Sequence, residues 1–383
     1  MRRWIGFEHG VNLGGWLSQC DYSKDRLEHF IVEEDIKRIS DWPVDHVRLP
    51  IDYNVLQDQD GTFIESGFEY VGKAIHWCRK YGLNIILDLH KTAGYSFDQG
   101  EKEAGFFDNS KYQEMFYSLW EEMAKRYAKY GDHVAFELLN EVTDKNTMDR
   151  WNQISQECIR RIRRIAPTTK ILIGGYWNNC VLAVRSLAAP ADENIVYNFH
   201  CYEPLIFTHQ GGYWVDGMPE DFRMALHKTV DEIKKLTKKY LPNNEIMLEP
   251  VKQEECLFGS SFFEQFFADA LAVAEERNVP LYCGEYGVIN LASTEDTLQW
   301  YQAISEVFDR YHIGRAAWSY KEMDFGIVDA HMEDVREKGD SVPIGHLTGC
   351  SGRGRGYNIQ NFGLCHLNSI CNLGKGIATV IHV

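Results

Sequence analysis

The chain has 383 residues, of which 44% are hydrophobic and 13% aromatic, and a formal net charge of −16. A globular chain of this length buries about three quarters of its unfolded surface, and α/β barrels reach such lengths as a single domain. The acidic balance makes nucleic acid and anionic membrane surfaces poor partners, whereas a neutral polymer would feel little of that field.

The opening, MRRWIGFEHGVNLGGW, carries two arginines but no apolar h-region, so it does not read as a secretory signal. No apolar run reaches the ~18 residues of a membrane helix. Ten cysteines without CxxC spacing point to reduced, mostly buried thiols. These features fit a cytoplasmic protein, or a secreted one whose leader is absent from this chain, and a monomer is expected.

Along the chain, short apolar runs alternate with longer amphipathic stretches, the pattern of βαβ units. Strands are expected at Gly10–Gly14, His46–Pro50, Asn84–His90, Val134–Asn140, Lys170–Gly175, Ile195–Tyr202, Pro280–Tyr286 and Gly314–Tyr320. Helices are expected at Phe30–Ser40, Phe68–Tyr81, Lys111–Tyr130, Met148–Ile165, Phe262–Arg277 and Thr294–Tyr311, with a weaker one at Val181–Leu187. Eight strand–helix repeats indicate a (β/α)8 TIM barrel. No strand is followed by GxGxxG or a P-loop, which argues against an open dinucleotide-binding sheet.

Two departures stand out. Glu203 to Ser260, between the sixth strand and its helix, is far longer than a barrel connection needs. It contains Phe207, Tyr213 and Trp214 and a basic amphipathic run, Phe222–Tyr240, and reads as a subdomain inserted at the mouth of a barrel domain spanning 1–340. From 341 to 383 there is no Asp or Glu, although the chain has 56. That tail reads as a distinct, non-native block that packs poorly, with a partner-binding or barrel-closing segment using Ile377–Val383 as the alternative, preceded by a short last helix starting at Ala330–Lys338.

The chemistry-bearing residues end strands. Glu141 in FELLNEV and Glu285 in LYCGEYGV each close an apolar run, and the C-terminal mouth of a barrel strand is where such folds place chemistry. Two carboxylates facing one cleft are what glycoside hydrolysis needs. Either alone could be an exposed loop residue or a salt-bridge partner. Asn140 can offer an amide to a sugar hydroxyl. Gly284 and Gly287 flank Glu285 and Tyr286, allowing close backbone approach and a phenol beside the carboxylate. Arg48 in HVRLP can hold a carboxylate with its fixed fork, or form a structural ion pair inside the barrel. His90 ends LDLH, and His200 and Tyr202 end NFHCY. A metal would need a third and fourth ligand at sensible spacing, and no HExxH or Asp/His cluster supplies them. Trp318, in AAWSYK, offers an apolar face to a sugar ring, and Trp177 and Trp214 could extend it.

These motifs, in this order, resemble glycoside hydrolase family 5, the retaining (β/α)8 glycosidases of clan A, and most resemble its single-domain bacterial endoglucanases. The likeness spans nearly all the chain to about Arg336: GVNLGGW, HVRLPIDY, LDLH, FELLNEV, YNFHCYEP, LYCGEYGVI and AAWSYKEMDFGI. It implies Glu141 as acid/base and Glu285 as nucleophile, with Arg48, His90, Asn140, His200, Tyr202 and Trp318 on the other active-site positions. Lys91 stands where many relatives have a second histidine. Glu141 would need a raised pKa, which the charge on Glu285 would help supply. The implied activity is a cofactor-free retaining endo-β-glucanase on β-1,4 and mixed β-1,3/1,4 glucan polysaccharide or oligosaccharide. An exo-β-1,3-glucosidase or a β-mannanase on the same fold is the alternative, and a non-catalytic carbohydrate-binding barrel the remote one.

Overall fold

All eight expected strands form: β1 His9–Asn12, β2 His46–Asp52, β3 Asn84–Lys91, β4 Val134–Glu137, β5 Ile171–Ile173, β6 Ile195–Cys201, β7 Leu281–Tyr286 and β8 Gly314–Ala317. Of these, β1, β4, β5, β6 and β8 end earlier than expected, while β2 and β3 run slightly further. They pair in parallel in sequence order, and β8 returns to β1 with His9 opposite Arg315, so the sheet closes into a barrel. This is the expected (β/α)8 architecture. The computed structural model describes residues 1–98 and 101–332. The expectations for 341–383 lie outside the described residues, and of the helix expected at Ala330–Lys338 only a 3-10 turn, Ala330–Met332, lies within them.

The outer helices follow from their apolar stripes. Helix Met148–Arg163 buries Trp151, Ile154, Ser155, Cys158, Ile159 and Ile162, in steps of three and four along one face. Its last turn carries Arg160, Arg161 and Arg163, where the helix dipole favours cations. Helix Thr294–Tyr311 starts at Ser293, whose hydroxyl accepts from the Asp296 N–H at 3.2 Å. Val181–Ser186 forms a 3-10 helix instead of an α-helix.

Inside the barrel, side chains alternate with a period of two, which sorts the interior into layers. The lowest is apolar: Ile86, Ala135, Leu172, Val196, Tyr282 and Ala316 from six strands cluster with Trp4 and Phe7, whose rings stack at 4.1 Å. Two residues further along their strands stand Asp88, Glu137 and Asn198, all fully buried and polar, beside Arg48 and Asn12. Two further again stand His90 and His200, and Trp318 follows Ala316 by two. The chain thus builds a greasy floor, a buried polar storey and a reactive rim from one repeating geometry.

The 203–260 segment holds a short helix Leu205–Thr208, a helix Val230–Tyr240 with a Thr229/Glu232 capping box, and a 3-10 stretch Pro242–Leu248. Leu226, Ile233 and Val251 are fully buried and belong to the same hydrophobic cluster as the barrel's outer shell.

Helix Ser110–Tyr127 is anchored by Trp120, which is 1% exposed, packs at a tilt against Phe136 of β4 with ring centroids 5.3 Å apart and donates from Nε1 to the Leu138 carbonyl at 3.0 Å. Trp120→Ala is therefore expected to cost about 3–5 kcal/mol, measured by urea unfolding, and to impair activity through the strand end that carries Glu141.

Candidate active site

Arg48 is the centre of the site. It is fully buried, and all five of its guanidinium N–H groups are engaged. Nε and Nη2 grip Glu137 at 2.7 and 2.8 Å, Nη1 bonds Asn12 at 3.0 Å and Glu285 at 2.8 Å, and Nη2 bonds Asn140 at 2.9 Å. Asp88 lies 3.0 Å from Nη2 and also holds His90 Nδ1 at 2.6 Å. Burial alone would lower the His90 pKa, but the Asp88 carboxylate outweighs it and the net shift is upward.

Glu285 is aimed by a defect in β7. Pairing runs Phe199–Cys283 and then His200–Glu285, so Gly284 is an extra residue that bulges the strand. Asn198 accepts from the Gly284 N–H at 2.9 Å, and Asn12 donates to its carbonyl at 2.9 Å. A Cβ at Gly284 would stand 2.8 Å from Asn198 Oδ1 and from His200 Nε2, so only glycine fits. A second bulge lies in β3, where the register steps from Leu89 to Lys91 and leaves His90 unpaired. The phenol on Glu285 is Tyr202, whose hydroxyl donates to Oε2 at 2.9 Å. It is not Tyr286, as the sequence suggested: Tyr286 is fully buried against Trp300 and Phe308.

Glu141 comes in from the loop after β4. Its backbone has φ 41°, a left-handed conformation uncommon for a residue with a side chain. Its Oε1 lies 2.8 Å from His200 Nδ1, and its Oε2 accepts from Asn178 Nδ2 at 2.9 Å. Burial raises the Glu141 pKa, opposed by the Asn178 hydrogen bond and by the charges of His90 and Arg48. Burial is thus the main cause, where the sequence reading had looked to the charge on Glu285. Burial also pushes His200 down to about 4, which leaves it a neutral imidazole near neutral pH.

All eight residues singled out from the sequence meet around one point. Glu141, His200 and Glu285 each offer an atom within 4.8 Å of the others. That trio could suggest a cation site, but each of the four carboxylate oxygens already faces Arg48, Tyr202, Asn178 or His200, so an ion would have to displace a partner. Trp318, 6% exposed, lies parallel to His90 at 5.8 Å and belongs to a small apolar cluster with Ile289 and Phe325, against which Tyr202 packs. Lys91 is tied to Glu101 at 2.6 Å and approaches Asp52 at 3.8 Å. Phe207 is fully buried and so adds nothing to the exposed face of Trp214, and Trp177 packs edge-on against Tyr176. Tyr213 and Trp214 are 78% and 43% exposed. Trp214 touches Phe325, which touches Tyr202, so an aromatic run leads from the insertion to the nucleophile candidate.

Sequence reasoning did not single out Asn12, Asp88, Glu137, Asn198, Tyr95 or Asn178. Asp88 and Asn198 stand two residues before His90 and His200, and Glu137 four before Glu141. Charged or amide residues inside an otherwise apolar strand were the available signal.

A closed parallel barrel with paired carboxylates at the ends of β4 and β7 defines a class, the (β/α)8 glycoside hydrolases. Residues 7–324 match the family described as cellulase, glycosyl hydrolase family 5. The chain is 50% identical over 310 residues to cellodextrinase A of Ruminococcus flavefaciens, covering 81% of this chain and 84% of that one. It is 35% identical over 339 residues to endoglucanase C of Acetivibrio thermocellus, covering 87% and 97%. Its fold superposes on an endoglucanase from the hyperthermophilic Thermotoga maritima with a TM-score of 0.68 at 22% identity, over 87% of this chain and 96% of that one. This chain belongs to glycosyl hydrolase family 5, and it is an enzyme that hydrolyses glycosidic bonds.

Arg48→Met would leave Asp88, Glu137 and Glu285 buried without their shared cation, an expected loss of about 3–5 kcal/mol at pH 7. Burial raises the Glu137 carboxyl against the pull of Arg48, and without Arg48 it rises further, so its penalty is present above the unfolded pKa and fades as it protonates. Urea unfolding should therefore show the deficit shrinking between pH 7 and pH 4.5.

Proposed function

We propose that the protein is a retaining β-glucan hydrolase acting on β-1,4-linked glucan, mixed β-1,3/1,4 chains included, with Glu141 as acid/base and Glu285 as nucleophile. The observation that carries the proposal is the approach of a Glu141 oxygen to within 4.8 Å of a Glu285 oxygen. Retaining enzymes hold their carboxyl groups about 5–5.5 Å apart, and inverting ones roughly 6.5–9.5 Å to leave room for a water.

In this scheme Glu141 starts protonated, which its upward pKa shift favours. Glu285, held between Arg48 and Tyr202, attacks the anomeric carbon while Glu141 gives its proton to the leaving oxygen. A glycosyl ester forms on Glu285, and Glu141 then takes a proton from water as that water attacks, restoring both groups with the anomer retained. Asn140 Nδ2 is buried and has no hydrogen-bond partner among the described residues, which suits it to donate to a sugar hydroxyl. Trp318 would pack beneath the ring, with His90 and His200 setting the orientation. No cofactor takes part.

The substrate class draws on the relatives named cellodextrinase and endoglucanase. The higher identity to the cellodextrinase favours soluble cello-oligosaccharides as a second reading, alongside cleavage within longer chains. The exposed Tyr213–Trp214 pair would extend the groove: Trp214→Ala should raise KM more for cellohexaose than for cellotriose. An unchanged chain-length profile would mean that Trp214 only packs within its own segment.

Kinetics on a pair of aryl β-cellobiosides separate the two glutamates. Glu285→Gln should abolish turnover of both. Glu141→Ala should largely spare bond cleavage of the dinitrophenyl substrate, whose leaving group needs no proton, while losing about 10²–10⁴-fold on the phenyl one. Equal losses on the two would contradict the acid/base role.

A further inference from the structure

Glu141 is held from both ends by residues outside the set just described. Tyr95, 7% exposed in the turn after β3, donates its hydroxyl hydrogen to the Glu141 carbonyl at 2.6 Å and accepts from the Thr143 N–H at 2.9 Å. One phenol thereby clamps the backbone directly after the left-handed residue, bridging the Glu141 carbonyl and the Thr143 N–H across Val142. Its turn is itself fixed: Thr92 and Tyr95 exchange backbone hydrogen bonds of 3.1 and 2.9 Å. Gly94 at φ +76° lies where a Cβ would stand 2.4 Å from the Tyr112 ring. Burial pushes the Tyr95 phenol up to about 12, so it stays a donor.

Asn178 holds the other end, the carboxyl group. Trp177, Asn178 and Asn179 follow one another at φ 48°, 57° and 55°. Such a run is costly for side-chain-bearing residues and persists where the surroundings impose it. Here they do: the Trp177 and Asn178 N–H groups donate to Thr143 and Val142 carbonyls at 3.3 and 3.1 Å, and Cys180 pairs with His200. The loop after β5 is thus bonded to the strand end carrying Glu141 and to the strand carrying its other partner, His200.

We propose that Tyr95 and Asn178 are positioning residues for the acid/base, Tyr95 by imposing the backbone turn that presents Glu141 and Asn178 by fixing the rotation of its carboxyl group. This rests on the acid/base role of Glu141 given above. Because Asn178 donates to Oε2 in either protonation state, it leaves the transferable proton to Oε1, the oxygen beside His200. The other titratable or charged groups around Glu141 are Arg48 on β2, His90 on β3, His200 and Tyr202 at the end of β6, and Glu285 on β7. Lys145 sits over the neighbouring Trp177 ring at 5.1 Å.

The test uses the same phenyl and dinitrophenyl cellobiosides. Tyr95→Phe, which removes one oxygen, should lower kcat/KM on the phenyl substrate by about 10–100-fold and on the dinitrophenyl one by less than about threefold, the signature of impaired proton donation. A purely structural residue would lower both alike, and that result overturns the Tyr95 role. Asn178 is exposed and left-handed, so Asn178→Gly keeps the backbone and deletes the donor, while Asn178→Asp replaces it with a like charge. Each should move the basic limb of the kcat/KM profile to higher pH, Asp further, because the limb reports deprotonation of Glu141, which the native amide favours. An unmoved limb in Asn178→Asp overturns the Asn178 role, and this arm holds even where Tyr95→Phe fails to fold. Glu141→Ala run in parallel keeps the two levels apart. A leaving-group contrast in Glu141→Ala that is missing from Tyr95→Phe refutes the Tyr95 clamp alone; its absence from Glu141→Ala refutes the acid/base role itself.

Discussion

One buried cation organises this protein's interior. Arg48 faces Asp88, Glu137 and Glu285 at hydrogen-bonding distance with no water-exposed surface of its own. Removing so many charges from water is costly, and the cost is offset by engaging all five guanidinium N–H groups and pairing each carboxylate with the cation. The guanidinium's rigid fork makes that a geometric condition: moving Glu285 would disturb Glu137, Asp88 and the amides of Asn12 and Asn140 together. Holding the nucleophile candidate in place and holding the core together are therefore one requirement. Glu141 lies outside this charge cluster. It meets an amide and a neutral imidazole, and burial lifts its pKa. Two carboxylates a few ångströms apart thus occupy unlike surroundings, the condition under which one acts as an acid and the other as an anion.

The barrel reaches this arrangement through strand periodicity broken at two points. Alternation carries apolar residues low in the barrel to polar ones in the middle and to reactive ones at the rim. A strictly regular strand would hold its side chains in that alternation throughout. The bulges at His90 and Gly284 add a residue to β3 and β7 next to the reaction centre, where they re-aim side chains. The Gly284 peptide is then locked by Asn198 on one side and Asn12 on the other, so the irregularity is as firmly specified as the regular strand.

Much of this was legible in the sequence. The eight strands and main helices follow from hydrophobic period, and the rim residues from their place at strand ends. What stayed hidden was of two kinds. The polar storey of Asp88, Glu137 and Asn198 shows only as single polar breaks in otherwise apolar runs, and a strand covered on both faces shows too little alternation to say which way each break points. The partners of each carboxylate are set by three-dimensional convergence: Tyr202, just after β6, supplies the phenol that sequence adjacency had assigned to Tyr286. Asn178 and Tyr95 come from loops after β5 and β3, and nothing in their local sequence links them to Glu141.

The central claim is that the glutamate gripped by Arg48 becomes covalently bonded to the sugar. Incubation with dinitrophenyl 2-deoxy-2-fluoro-β-cellobioside, whose fluorine slows the second step more than its activated leaving group slows the first, should trap that ester. Mass spectrometry of a proteolytic digest is then expected to place one added fluorocellobiosyl unit on the peptide containing Glu285. A label on a different residue, or no label from an active enzyme that releases the inverted anomer, would contradict the account.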